Sequence, residues 1–384
     1  MILSVISIDY TPAIEQSAGI GRYVRELIGS LSHSDSVTDY RLFVSGSTLS
    51  DLPPVLNSNF TWKTTRLSPK WLARIWHRVG IPLRAETFVG DVDLFHATDF
   101  VLPPLRTGTR SILTVHDLSF VRVPDSAAPR LKTYLEAVVP DSVRRASYIL
   151  ADSEATRQDL MSLYDVSSDR VSVLLSGVDL SIQSSVLFTV LTMRNTYNLP
   201  ERPYILSVGT VQPRKNYVRL MQAVRQLRDR AIDVDLVIAG GKGWLEDPIY
   251  AAIEEHGMVG HVHFTGFVDD AHLPSLYKYA ACFALPSLYE GFGLPVLEAM
   301  ACGIPVVTSN ISSLPEVAGD AALTVDPYDV EVLADALRRL LEDTELRNTL
   351  IERGLQRVQN FTWERSAQQL RQVYERVLEM PVRR

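Results

Sequence analysis

The sequence predicts an α/β protein of two Rossmann-like, doubly wound parallel-sheet domains with an interdomain cleft. Three observations carry this expectation. Short apolar runs alternate with longer amphipathic stretches along the whole chain, the pattern of strands joined through covering helices. About six such runs fall on each side of residue 195. The 384 residues fit two domains at roughly 150 residues apiece.

Candidate strands in the first half are Ile2–Ile8, Tyr40–Val44, Leu94–His96, Arg110–Val115, Tyr148–Ala151 and Val171–Leu174. In the second half they are Tyr204–Val208, Asp235–Ala239, Val262–Thr265, Cys282–Leu285, Pro305–Thr308 and Ala322–Val325. Helical spacing marks Ile20–Leu31, Tyr217–Arg230, Asp247–His256 and Val330–Leu341 between them. Asn195, Asn198, Pro200 and Pro203 interrupt any helix and put the domain join near 193–203. The expected domains are therefore 1–193 and 194–365. Leu370, Val373, Tyr374 and Val377 then recur at helical spacing, so residues 366–384 are expected to pack back on the first domain as a helix.

Charge excludes one broad class. The chain holds 38 basic and 45 acidic side chains; residues 1–190 carry 18 and 20 of them, and residues 191–384 carry 20 and 25. Neither half is a basic module, so a nucleic-acid partner is not expected. Cys282 and Cys302 lie in apolar surroundings without metal-ligand spacing and read as buried free thiols. The opening Met-Ile-Leu-Ser-Val-Ile-Ser-Ile-Asp9 lacks a positive flank and a small-residue cleavage site, and reads as a strand. No apolar run approaches the ~18 residues of a spanning helix, so the expected location is cytoplasmic.

One stretch departs from this balance. Between Asp51 and Glu86 there is no acid, but there are Lys63, Arg66, Lys70, Arg74, Arg78 and Arg84 with Trp62, Trp71 and Trp76. Leu72, Ile75, Trp76 and Val79 lie at helical spacing within Pro69–Val79. Residues 62–84 read either as an interfacial element for anionic lipid at the inner membrane face, or as a helix packed on its domain with a solvated cationic face.

The strongest motif is Glu290-Gly-Phe-Gly-Leu-Pro-Val-Leu-Glu298, after a strand that ends at Pro286. Gly291 and Gly293 allow close backbone approach to a ligand, and Pro295 suits the first turn of a helix running to Gly303. The amides of that turn form an anion site, while Glu290 in the loop and Glu298 on the helix address different parts of one ligand. A second motif is Ser207-Val-Gly209-Thr-Val-Gln-Pro-Arg214-Lys215-Asn216. Two cations beside a helix N-terminus oppose its dipole unless an anion lies between them, and a diphosphate is such an anion.

The Glu290–Glu298 string resembles the E-x7-E motif of the retaining nucleotide-sugar glycosyltransferases of family 4, which have the GT-B fold, and the resemblance covers nearly the whole chain. It implies that 1–193 binds the acceptor and 194–365 the nucleotide-sugar. It also implies that Glu298 holds the ribose, Glu290 meets the donor sugar, and Phe292, Gly293 and Leu294 line the donor beside them. Arg214 and Lys215, after Gly209, would neutralise the diphosphate. With those two cations in place no divalent metal and no cofactor is expected. The weaker string Ala18-Gly19-Ile20-Gly21-Arg22-Tyr23 lacks the third glycine of a dinucleotide turn; the resemblance has Gly19 and Gly21 face the donor phosphates. His116, in Thr114-Val-His116-Asp117, would orient the donor sugar, with Asp117 as a candidate partner. Phe267 and Val268 would flank the base, unless Phe267 is simply a core aromatic. Ser153, Ser176 and Gly177 match further landmarks of the family, although Asn is commoner than Ser at 176.

Asp91-Val-Asp93 and Asp233-Val-Asp235 look like a metal-binding DxD, but each stands at the entry end of a strand and reads as a solvated strand start. The expectation is a retaining hexosyltransferase acting on a glycan or lipid-linked acceptor in polysaccharide synthesis, with no protein nucleophile. GDP-mannose is the favoured donor, because the Ala18–Tyr23 opening resembles bacterial polysaccharide mannosyltransferases; UDP-glucose or another UDP-hexose is the alternative. A nucleotide-sugar epimerase of the same architecture and a silent sugar-nucleotide sensor are the other classes.

Overall fold

The computed structural model describes residues 4–76, 83–183 and 187–381. Contacts divide the chain into two compact units. One comprises Met1–Leu118, Thr133–Gly177 and Trp363–Arg384; the other comprises Ser119–Lys132 and Val178–Thr362. The divide near the middle thus lies at Gly177, ahead of the 193–203 join read from helix breakers. The helix Val190–Tyr197 belongs wholly to the second unit.

The first unit holds a seven-stranded sheet made of β1 (Val5–Asp9), β2 (Asp39–Ser45), β3 (Phe60–Thr65), β4 (Leu94–Ala97), β5 (Arg110–Val115), β6 (Tyr148–Ala151) and β7 (Val171–Val173). Its order is β3-β2-β1-β4-β5-β6-β7, with every pair parallel. Ile6, Ile8, Leu94, Phe95, Ile112, Leu113, Ile149 and Leu150 are fully buried, as expected when helices cover both faces of a parallel sheet. β3 is an addition to the sequence reading. It is an edge strand whose Thr-rich Phe-Thr-Trp-Lys-Thr-Thr run buries only Phe60 completely, so it has no continuous apolar signature. Trp62 and Lys63, read as part of the basic stretch, stand on this strand.

The second unit holds β8 (Tyr204–Val208), β9 (Asp235–Ala239), β10 (Val262–Gly266), β11 (Cys282–Leu285), β12 (Val306–Ser309) and β13 (Leu323–Val325), in the order β10-β9-β8-β11-β12-β13, again parallel throughout. Each sheet reverses its strand order once, between β1 and β4 and between β8 and β11. Ligands of open α/β sheets gather beyond the carboxyl ends of the strands at such reversals. Cys282 and Cys302 are buried free thiols, and burial pushes both up to about 12.

The helix Trp363–Glu379 follows the second unit in sequence but packs on the first, along the helix Gly19–Ser34. Tyr374 reaches the sheet, its hydroxyl 2.8 Å from His96 Nδ1. Ser366 donates to the Leu175 carbonyl, and Arg110 donates to the Met380 carbonyl at 2.9 Å. Leu370, Val373 and Val377 are buried with Tyr374; full burial of a large apolar side chain contributes about 1.5–3 kcal/mol.

Asp235 corrects the reading of a solvated strand start. It is fully buried at the entry to β9, where Arg228, His261, His263 and Arg202 surround its carboxylate at 2.9–3.5 Å, while Asp233 stays exposed. Among the described residues no group of three or more His, Cys, Asp or Glu side chains is placed to hold a metal ion, and no helix is long and apolar enough to cross a membrane.

Candidate active site

In the second unit the two strongest motifs meet at the β8/β11 reversal. The chain leaves β8 through Gly209, whose φ of +154° suits glycine; a Cβ there would lie 2.7 Å from Lys215 Cε. A 3-10 turn, Pro213–Lys215, follows, and Asn216 then starts the helix Tyr217–Asp229. Asn216 donates to the carbonyls of Pro286 and Pro327, at 3.0 and 2.7 Å, which ties the turn to the loop after β11. That loop is bound back to it: the Leu288 amide donates to the Arg214 carbonyl at 2.8 Å, and the Arg214 guanidinium to the Tyr289 carbonyl at 2.6 Å.

Glu290 stands where these loops converge. Its carboxylate accepts from Arg214 at 2.9 Å and from Lys215 Nζ at 2.7 Å, and all three side chains are largely buried. Burial alone would raise the Glu290 pKa, but Arg214 and Lys215 overcome it and hold the group down at about 2. Its backbone is fixed by the Ser312 hydroxyl, which is 2.9 Å from the Glu290 amide, and by Ser313, which donates to the carbonyls of Glu290 and Phe292. The anion between two cations at a helix start is thus supplied within the chain.

Gly293 caps the helix Leu294–Ala301 with φ +113°, and Pro295 lies in its first turn. Glu298 is buried on that helix and accepts from Tyr277 at 2.8 Å. Phe292 and Val268 are buried, while Phe267 is 55% exposed and is therefore no core aromatic. Arg214, Lys215, Glu290 and Gly209 are thereby brought together, with Phe292, Gly293, Leu294 and Glu298 continuing the same segment.

The first unit has its own strand-end constellation. His116 follows β5 and Asp152 follows β6. Because Val115 pairs with Ala151, the next residues stand side by side. His116 Nδ1 is 2.7 Å from Asp152, and Nε2 donates to the Thr98 carbonyl at 2.8 Å. Burial would lower the His116 pKa, but the carboxylates of Asp152 and Asp99 raise it to about 9, so the ring is an imidazolium with both N–H groups in use. Asp152 takes the partner role considered for Asp117. Nearby, burial raises Asp9 to about 6, against its hydrogen bonds from Thr11.

Gly21 has a cause within the fold. It lies inside the helix Gly19–Ser34, where a Cβ would come 1.8 Å from the Gln16 carbonyl oxygen, so its missing side chain lets the chain pack on itself. A Cβ on Gly19 would meet nothing within 4 Å. Ser153 caps the helix Glu154–Tyr164 by accepting from the Thr156 amide. Sequence reasoning passed over Asp152, Thr98, Tyr277, Ser312 and Ser313. None had a signal in the sequence; the place of Asp152 depends on the register of β5 against β6.

In the basic stretch, Pro69–Arg74 is helical, with Leu72 buried. Arg66, Leu67, Lys70, Trp71 and Arg74 are exposed; Trp71 is 56% exposed and the Arg74 guanidinium lies 4.9 Å from its ring centre. Trp62 and Trp76 donate their indole N–H groups to the carbonyls of Pro53 and Leu83. Arg78 and Val79 lie outside the described residues.

Comparison with known proteins accounts for both units. Residues 17–182 match the family described as Glycosyltransferase Family 4, and residues 191–357 match Glycosyl transferases group 1. The chain is 33% identical to O-antigen chain mannosyltransferase B of Escherichia coli over 93% of its own length and 95% of that protein. It is 30% identical to D-inositol 3-phosphate glycosyltransferase of Salinispora arenicola, over 95% of this chain and 88% of that one. Among solved structures, sucrose-phosphate synthase from Thermosynechococcus elongatus superposes with a TM-score of 0.75 at 22% identity, covering 97% of this chain and 99% of that one. WaaG, a glycosyltransferase involved in lipopolysaccharide biosynthesis, gives 0.71 at 18% identity, covering 96% and 99%. With both halves matched and a relative aligned almost end to end, the chain belongs to glycosyltransferase family 4 and is a glycosyltransferase of the two-Rossmann GT-B fold.

Proposed function

We propose that this glycosyltransferase moves a hexose, mannose in our reading, from a nucleotide-sugar to a hydroxyl of a glycan or lipid-linked acceptor in cell-surface polysaccharide synthesis, with retention of anomeric configuration. The observation that carries the reading is the convergence of Arg214, Lys215 and Glu290 at the β8/β11 reversal, within the family's own motif. Departure of a nucleoside diphosphate builds negative charge on a phosphate oxygen. Two fixed cations in a dry site stabilise that charge without reorganising, the kind of effect that dominates many enzymatic barriers. Glu298 holds the ribose, Glu290 addresses sugar hydroxyls, and the acceptor oxygen attacks from the departing face while the leaving phosphate takes its proton. No metal is needed in this scheme.

The name of the Escherichia coli mannosyltransferase and the Ala18–Tyr23 opening support GDP-mannose as donor. His116 acts here as a positioning group: a buried cation that braces the ends of β4, β5 and β6. The test is nucleotide release from a panel of GDP- and UDP-sugars, with and without acceptor glycans. Acceptor-dependent release of GDP from GDP-mannose is expected. Release from UDP-hexoses alone would replace the donor, sugar interconversion without acceptor would indicate an epimerase, and binding without turnover a sensor.

The exposed strip Arg66-Leu67, Lys70-Trp71 and Arg74 further supports peripheral attachment to an anionic membrane at its cytoplasmic face, where lipid-linked acceptors are presented.

A further inference from the structure

We infer that Glu290 is the internal counter-anion of the Arg214–Lys215 phosphate seat, and that the donor's diphosphate binds by exchange with it. The inference rests on the reading of that seat as the diphosphate site and adds how the seat is charged and discharged. Arg214 and Lys215 contribute two positive charges at the start of the helix Tyr217–Asp229, where the helix dipole already favours anions. One carboxylate, with its two oxygens divided between them at 2.9 and 2.7 Å, is the anion they share. Ser312 and Ser313 fix the backbone of Glu290, so the carboxylate leaves the cations by side-chain rotation alone.

An incoming diphosphate brings more negative charge than one carboxylate, so it wins both cations. The displaced carboxylate has lost its ion pairs inside a buried site, where an unpaired charge is costly. The Ser287 hydroxyl beside it offers one donor, which cannot replace two ion pairs, and sugar hydroxyls supply the further donors there. Diphosphate binding and sugar engagement are therefore two halves of one exchange. A nucleoside diphosphate without its sugar displaces the carboxylate and gives it nothing in return, which weakens the binding of the spent product relative to the donor. Glu290 thus sets the discrimination between donor and product.

Inorganic pyrophosphate isolates the exchange, since it carries the anion and no sugar. Titration calorimetry with pyrophosphate is expected to show Glu290→Gln binding at least tenfold tighter than wild type, because the competing charge is gone. Glu290→Asp, which keeps the charge on a shorter arm, is expected to fall between them, and it decides the matter if the Gln variant does not fold. Affinity equal to or weaker than wild type in the folded variant overturns the exchange. Arg214→Ala and Lys215→Ala, titrated in parallel, test the underlying reading: each should lose pyrophosphate binding. Unchanged binding there removes the diphosphate seat itself, an outcome distinct from a working seat that Glu290 does not govern.

Discussion

His116 and Asp152 form a buried charge pair 2.7 Å apart whose worth depends on pH. The imidazole titrates near 6.5 when unfolded and at about 9 in the fold. A folded pKa above the unfolded one means that the stabilisation is complete below pH ~6.5 and is lost as pH rises through about 9. Burial also raises the Asp152 pKa above the usual carboxylate range, so the cost of charging that carboxylate offsets part of the gain. Asp152→Asn is expected to lower stability at pH 6 and to flatten the loss between pH 6.5 and 9. Urea unfolding at pH 6 and pH 9.5 measures both; equal pH slopes in the two proteins would dismiss the pair as the cause. The adjacency of these residues was hidden in the sequence, because it depends on the register of β5 against β6. The Arg214–Glu290 contact was hidden for a similar reason: 76 residues and three intervening strands separate its partners.

At the scale of elements, the strip on Pro69–Arg74 and the turn before it combines exposed Trp71 and Leu67 with Arg66, Lys70 and Arg74. Each cation near an anionic bilayer contributes about 1 kcal/mol. Reversing Lys70 and Arg74 to Glu is expected to reduce binding to phosphatidylglycerol-containing vesicles more than tenfold, with little effect on neutral vesicles or on transfer to a soluble acceptor. Unaltered sedimentation with anionic vesicles would leave the strip as an ordinary solvated surface. The central strands were legible because parallel strands buried on both faces are continuous apolar runs. β3 was not, since an edge strand of alternating Thr, Trp and Lys presents no such run. The glycine string at 18–23 is ambiguous in the sequence, because close approach of the Gln16 carbonyl leaves the same mark at Gly21 as close approach of a ligand.

For the whole molecule, the first unit is closed by a helix that follows all of the second. Without Trp363–Glu379, the face of the helix Gly19–Ser34 that it covers would be open to water, and Tyr374 would no longer meet His96. A chain ending at Thr362 is expected to lose cooperative unfolding of the first unit while the second keeps its own transition. Calorimetry would show this as one missing endotherm, and two intact endotherms would refute it.

That helix also sets an order of events during synthesis. The seven strands of the first unit leave the ribosome first, yet the segment that seals them arrives about two hundred residues later. The second unit, whose strands are complete by Val325, has every part it needs before the first does. The nascent chain must therefore carry an unsealed apolar face past a finished neighbour, a period in which a chaperone has something to hold.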